Sequence, residues 1–205
     1  MKFQSIAAGL VSIITACSAA SAASFVPYSN VGFENPIEYT FMATTSGEIT
    51  AYFAGNGGAG YTETLSLLVN GVSTGVVALN NQSSSYGDSV SLGSVNAGDV
   101  LVFALNVVDT ATTWYSNKSS NVDGVNHVYS TLFDGNSLIP AGVYVGFEDL
   151  SAISDPNFGK ADFNYKDTQF VFTNTSVACV PVPTAAFLFG SGLMGMVGVA
   201  RRRVA

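Results

Sequence analysis

Charge is scarce in this sequence: Asp, Glu, Lys and Arg make up 10% of 205 residues, with one histidine, one tryptophan and two cysteines. Four of the seven basic residues (Lys2, Arg201, Arg202, Arg203) sit at the ends, so residues 23–179 set three lysines against all fourteen acids, a net of −11. Nucleic acid is excluded as a partner, because binding it requires neutralisation of phosphates by Lys and Arg. Cys17 lies in an N-terminal segment expected to be removed, leaving Cys179 without an intramolecular disulfide partner, so stability has to come from the core. Cys179 reads as a bystander or as a point of attachment or dimerisation. The lone His127 has no recognisable nucleophile beside it in sequence, and neither G-x-S-x-G nor H-E-x-x-H occurs, which argues against an enzyme. His127 falls in the alternating run 125–129, where it is expected on the solvent face of a strand. Long helical periodicity and fixed-period repeats are also missing, which excludes solenoids and propellers.

The two ends carry targeting signals. Lys2 precedes an apolar stretch from Ile6 to Ala16, too short to stay in a bilayer, and Ala20-Ser21-Ala22 fits the small-residue pattern of signal-peptidase cleavage before Ala23. Ile14-Thr15-Ala16-Cys17 also reads as a lipobox, in which Cys17 would be lipidated. At the other end, Val180-Pro181-Val182-Pro183 precedes 17 uncharged residues, 184–200, and then the basic tail 201–203. A helix of that length reaches ~25 Å, enough to span a hydrocarbon core when its ends snorkel, and the arginines hold its far end on the cytoplasmic side. A simple tail anchor would look much the same.

The order Val-Pro-Val-Pro, then Thr184-Ala185-Ala186-Phe187-Leu188-Phe189-Gly190-Ser191-Gly192, then Gly-rich apolar residues and three arginines resembles the PEP-CTERM sorting signal of Gram-negative bacteria. The resemblance covers residues 180–205 and implies signal peptidase and a membrane exosortase as processing partners. It further implies transient inner-membrane anchoring and delivery to the cell surface or to a secreted polysaccharide matrix.

Between the ends the chain reads as all-β. Runs rich in Val, Thr, Phe and Tyr alternate with Gly, Asn, Asp and Ser clusters, predicting strands over 37–43, 48–53, 64–69, 72–79, 89–92, 100–108, 125–133, 142–147 and 168–174. Asn70-Gly71 predicts a type I′ hairpin turn, and Asn96-Ala97-Gly98-Asp99 and Asp134-Gly135-Asn136 are further turns. One domain over 23–179, an antiparallel β-sandwich of jelly-roll or Greek-key style, is the expectation.

The densest chemistry lies between 148 and 167, where five of the acids fall: Glu148, Asp149, Asp155, Asp162 and Asp167. Hard oxygen ligands on a loop suit Ca²⁺, and the D-x-N-x-x-D spacing makes Asp162, Asn164 and Asp167 the leading ligands, with Glu148, Asp149 and Asp155 completing the shell. The other reading is of turn-capping carboxylates in a solvated loop. Phe147-Glu148-Asp149-Leu150 followed by Asp162-Phe163-Asn164 also resembles a domain of unknown function in bacterial exported proteins, here with Tyr165-Lys166 inserted before Asp167. Trp114 and Tyr115, with Tyr61 and Tyr86 in other loops, are candidates for stacking on sugar rings, or else for core packing. The expected function is a non-enzymatic surface or matrix protein associated with exopolysaccharide or biofilm. A carbohydrate-binding module or calcium-stabilised adhesin is the alternative, ahead of a tail-anchored protein or secreted hydrolase.

Overall fold

The computed structural model describes residues 26–153 and 159–180. The expected signal peptide (1–22, with Cys17), Asp155, and the sorting residues Pro181, Val182, Pro183, 184–200 and Arg201, Arg202, Arg203 lie outside the described residues.

Eleven strands follow in chain order: β1 Glu38–Ala43, β2 Gly47–Asn56, β3 Glu63–Val69, β4 Val72–Ala78, β5 Ser89–Val95, β6 Val100–Val107, β7 Thr112–Tyr115, β8 Val128–Phe133, β9 Gly142–Phe147, β10 Thr168–Phe172 and β11 Thr175–Val180. One sheet runs β11-β1-β6-β3-β4, with β7 also on β6, and the other runs β5-β2-β10-β9-β8. Every pairing is antiparallel, and the two sheets form a sandwich. Among the described residues the helical content is a single 3₁₀ turn, Lys118–Ser120, and no helix is long and apolar enough to cross a membrane.

Alternation along the strands builds the core. Ile49, Ala51 and Phe53 of β2 and Leu101, Phe103 and Leu105 of β6 point inward, and Phe103 stacks on Phe172 of β10 with centroids 3.7 Å apart, joining the sheets. The central strand β10 is buried on both faces, since Val171 packs outward beneath Phe133, Ile139 and Tyr144.

The expected hairpin is present: Val69 pairs with Val72 around Asn70 and Gly71, both at positive φ (50° and 82°), as a type I′ turn requires. Three details differ from the sequence reading. Trp114 and Tyr115 lie on a strand, β7, rather than in a loop. The eighth strand starts at Val128, because Asn126 turns its side chain onto the carbonyls of Asn35 and Ile37 and so ends regular pairing before it. The tail of the body forms β11, which pairs with β1 from Ala43↔Thr175 to Glu38↔Val180, so the sheet continues one residue past Cys179. Cys179 pairs with Tyr39 there and packs, half-buried, against the core.

Phe103→Ala is expected to cost about 3–5 kcal/mol in denaturant unfolding, because it opens a cavity between the sheets. Val122→Ala, at a side chain 85% exposed, should stay within ~0.5 kcal/mol. Equal effects of the two would contradict this core.

Candidate functional site

One end of the sandwich is filled by acids instead of apolar side chains. Glu63 opens β3 on the same inward face as Leu65 and Leu67, while Glu148 and Asp149 follow the last residue of β9 and Asp167 precedes the first of β10. Antiparallel pairing of Phe147 with Thr168 sets these ends side by side, with Asp167 N–H donating to the Phe147 carbonyl at 3.1 Å. Glu148, Asp149 and Asp167 each bring a carboxylate oxygen within 4.8 Å of the others'. Glu63 reaches them from the opposite sheet: its carboxyl meets that of Asp149, and Thr168 Oγ1 donates to its Oε2.

Glu63, Glu148 and Asp149 are 0–5% exposed, and Asp167 is half-buried. Asp149 N–H donates to Asp167 Oδ2 at 3.0 Å, yet Glu63 Oε1 and Glu148 Oε2 are enclosed without any hydrogen-bond donor. Such orphaned oxygens are rare in folded proteins and costly when charged. Burial first, then the neighbouring Glu63 carboxyl, pushes Asp149 up to about 8. Glu148 and Asp167 are raised by burial and then by their acidic neighbours, and Glu63 by burial, against hydrogen bonds that pull the other way.

A rigid aromatic plate walls this cluster. Trp114 is 2% exposed, stacks on His127 at 3.8 Å and 6° between planes, and donates Nε1–H to the Asp149 carbonyl at 2.6 Å. His127 is fully buried rather than on a solvent face. Its Nδ1 meets the Glu148 carbonyl at 2.8 Å and its Nε2 meets Asp123 Oδ2 at 3.0 Å. The ring is thus held at both nitrogens, between the Glu148 carbonyl and the Asp123 carboxylate. Burial works to raise Asp123, but hydrogen bonds from His127, Ala152 and Val125 outweigh it and hold its carboxyl below the usual range.

On the other side, the segment before β10 is pinned by Tyr165. This bulky residue sits at φ 55°, a strained conformation fixed by its hydroxyl, which accepts from Asn35 N–H at 2.7 Å and donates to the Asn126 carbonyl at 3.1 Å. Gly146 makes room for it, since a Cβ there would collide with the Tyr165 carbonyl oxygen. Tyr165 thus anchors the segment that leads into Asp167.

The expected loop site is thereby divided. Asp167 joins Glu148 and Asp149, whereas Asp162 is exposed and accepts from Asn164 N–H (2.9 Å) and Nδ2 (2.7 Å), and Asn164 Oδ1 accepts from Lys166 N–H (2.6 Å). Those two residues close local turns. Glu63 was not among the expected ligands, although its parity with Leu65 and Leu67 already put it inside. As for sugar contact, Trp114 and Tyr61 are buried and offer no free ring face, Tyr115 is half-buried, and Tyr86 is exposed.

In metal-free protein the raised carboxyls favour folding while protonated. Their stabilisation is complete below the unfolded value near 4 and is lost as pH climbs toward about 8, the Asp149 value. The nearby charges of Asp109 and Asp162 help to raise Glu63 and Glu148 respectively. Asp123 has the opposite sign, stabilising above ~4 and failing as pH falls below it. Thermal unfolding in chelator is therefore expected to peak near pH 4–5 and to fall by several degrees by pH 8. A flat or rising profile over that interval would contradict the enclosure of these acids.

No protein-family model matches the chain, and neither a curated protein nor a solved structure is similar to it.

Proposed function

We propose that this chain is an exported, non-enzymatic cell-surface or extracellular-matrix protein of a Gram-negative bacterium, delivered by an exosortase and associated with exopolysaccharide. The carrying observation is where the described β11–β1 ladder meets the motif. The last ladder pair, Glu38↔Val180, falls at the first residue of the Val180-Pro181-Val182-Pro183 motif. Cleavage beyond Val180 would release a domain with all eleven described strands intact.

Other features agree with this reading. The body's net charge of −11 favours solubility outside the cell and disfavours nucleic acid. The one histidine is committed to Asp123 and the Glu148 carbonyl beneath Trp114, an arrangement that positions loops rather than substrate. Strand order with β6 between β1 and β3, and β10 between β2 and β9, fits a sandwich of Greek-key or jelly-roll style. Signal peptidase and exosortase are the processing partners, and membrane contact is confined to the time before the tag is cut.

Full-length protein expressed in a Gram-negative host with its own exosortase should be recovered outside the inner membrane without the segment 184–205, as read by intact mass and terminal peptides. Deleting the exosortase gene should retain it in the inner membrane. Recovery of peptides reaching Arg201 from the surface protein would indicate a permanent tail anchor instead.

A further inference from the structure

We propose that Glu148, Asp149 and Asp167 hold one calcium ion at the acid-filled end of the sandwich, with Glu63 backing Asp149 from the opposite sheet. This inference rests on the geometry of the cluster alone and stands or falls independently of the export route.

Three acids brought within 4.8 Å of one another are not by themselves a site. The independent observation is Glu148 Oε2, enclosed in a residue 1% exposed and lacking any donor, with Glu63 Oε1 in the same condition at 0% exposure. A carboxylate oxygen in that state needs a proton or a cation. When ionised, carboxylates packed this closely repel one another, and their burial leaves little water to screen the repulsion. A divalent ion meets the requirement for three carboxylates at once.

The donor set selects the ion. It consists of hard oxygens only, because both nitrogens of the adjacent His127 are already engaged, and this disfavours zinc and other metals that seek nitrogen or sulfur. Magnesium keeps several waters and demands strict octahedral geometry, whereas calcium accepts six to eight oxygens, including bidentate carboxylates, in irregular arrangements. Three carboxylates on two chain segments, two of them enclosed, fit calcium. Asp167, the half-buried member, marks the side open to solvent. Bound there, the ion would tie the end of β9 to the start of β10 and, through Glu63, draw in β3 of the other sheet.

Trp114, the single tryptophan, supplies a direct reporter, because its indole donates to the Asp149 carbonyl at 2.6 Å and so lies against the site. Terbium added to the purified full chain should show luminescence sensitised by tryptophan excitation, and excess calcium should quench it by displacement. The double substitution Glu148→Gln, Asp149→Asn should abolish the signal, and Asp162→Ala should leave it unchanged. Millimolar calcium should raise the melting temperature of the wild-type protein over chelator by roughly 3–10 °C, the range for a weak extracellular site at 10–100 times its Kd. The double variant should lose that increment. If it does not fold, Asp167→Asn replaces it in both measurements, and the wild-type melting shift stands as its own test. Absence of sensitised emission and of a calcium shift in the wild type would overturn the site. So would a signal lost in Asp162→Ala but kept in the Glu148 and Asp149 variants, which would put the ion in the exposed loop.

Discussion

Two β-sheets packed face to face leave a gap at each end, and here the gap beside β3, β9 and β10 is closed by Glu63, Glu148, Asp149 and Asp167. Charge enclosed at that depth constrains everything around it. Raising one carboxyl from an unfolded value near 4 to about 8 corresponds to on the order of 5 kcal/mol against its ionised form. A domain typically holds only ~5–15 kcal/mol of net stability, so several such charges cannot be left uncompensated. The neighbouring architecture is correspondingly stiff: Trp114 and His127 stack into one plate, Asp123 fixes that plate, and Tyr165 accepts a strained backbone to present Asp167.

Much of this was readable in advance where local chemistry decides the outcome. Asn70-Gly71 specifies its hairpin through local chemistry, and runs rich in Val, Thr, Phe and Tyr between turn residues identified the segments that became β1 to β6, β8, β9 and β10. What escaped depends on partners distant in sequence. β7 is four residues long and polar at its start, a strand only because β6 offers Asn106 and Leu105 to Thr113 and Trp114. No strand was expected over 175–180, but the run pairs along the whole of β1 and its register takes in Val180. His127 obeyed the alternation of its neighbours on paper, yet a tryptophan thirteen residues earlier covers its ring, and no spacing rule announces that.

The acidic stretch shows the same division. Its concentration of oxygen donors was legible. The choice of ligands was not, because D-x-N-x-x-D describes a sequence distance, whereas Asp162 and Asn164 satisfy each other in a surface turn and Asp167 is swung away from them. Glu63 lies 85 residues before Glu148 and enters only through the packing of one sheet on the other. For a domain expected to mature without a disulfide, an ion that binds β9, β10 and β3 together is a physical substitute for a covalent staple. It would also make folding sensitive to whether calcium is present, in keeping with the proposed export.

The most direct measurement is a high-resolution crystal structure of the protein grown in millimolar calcium. The expected result is one cation with carboxylate oxygens of Glu148, Asp149 and Asp167 at about 2.3–2.6 Å, and Glu63 hydrogen-bonded behind Asp149. A cluster without the ion, in which these carboxyls bond directly to one another through shared protons, would contradict it.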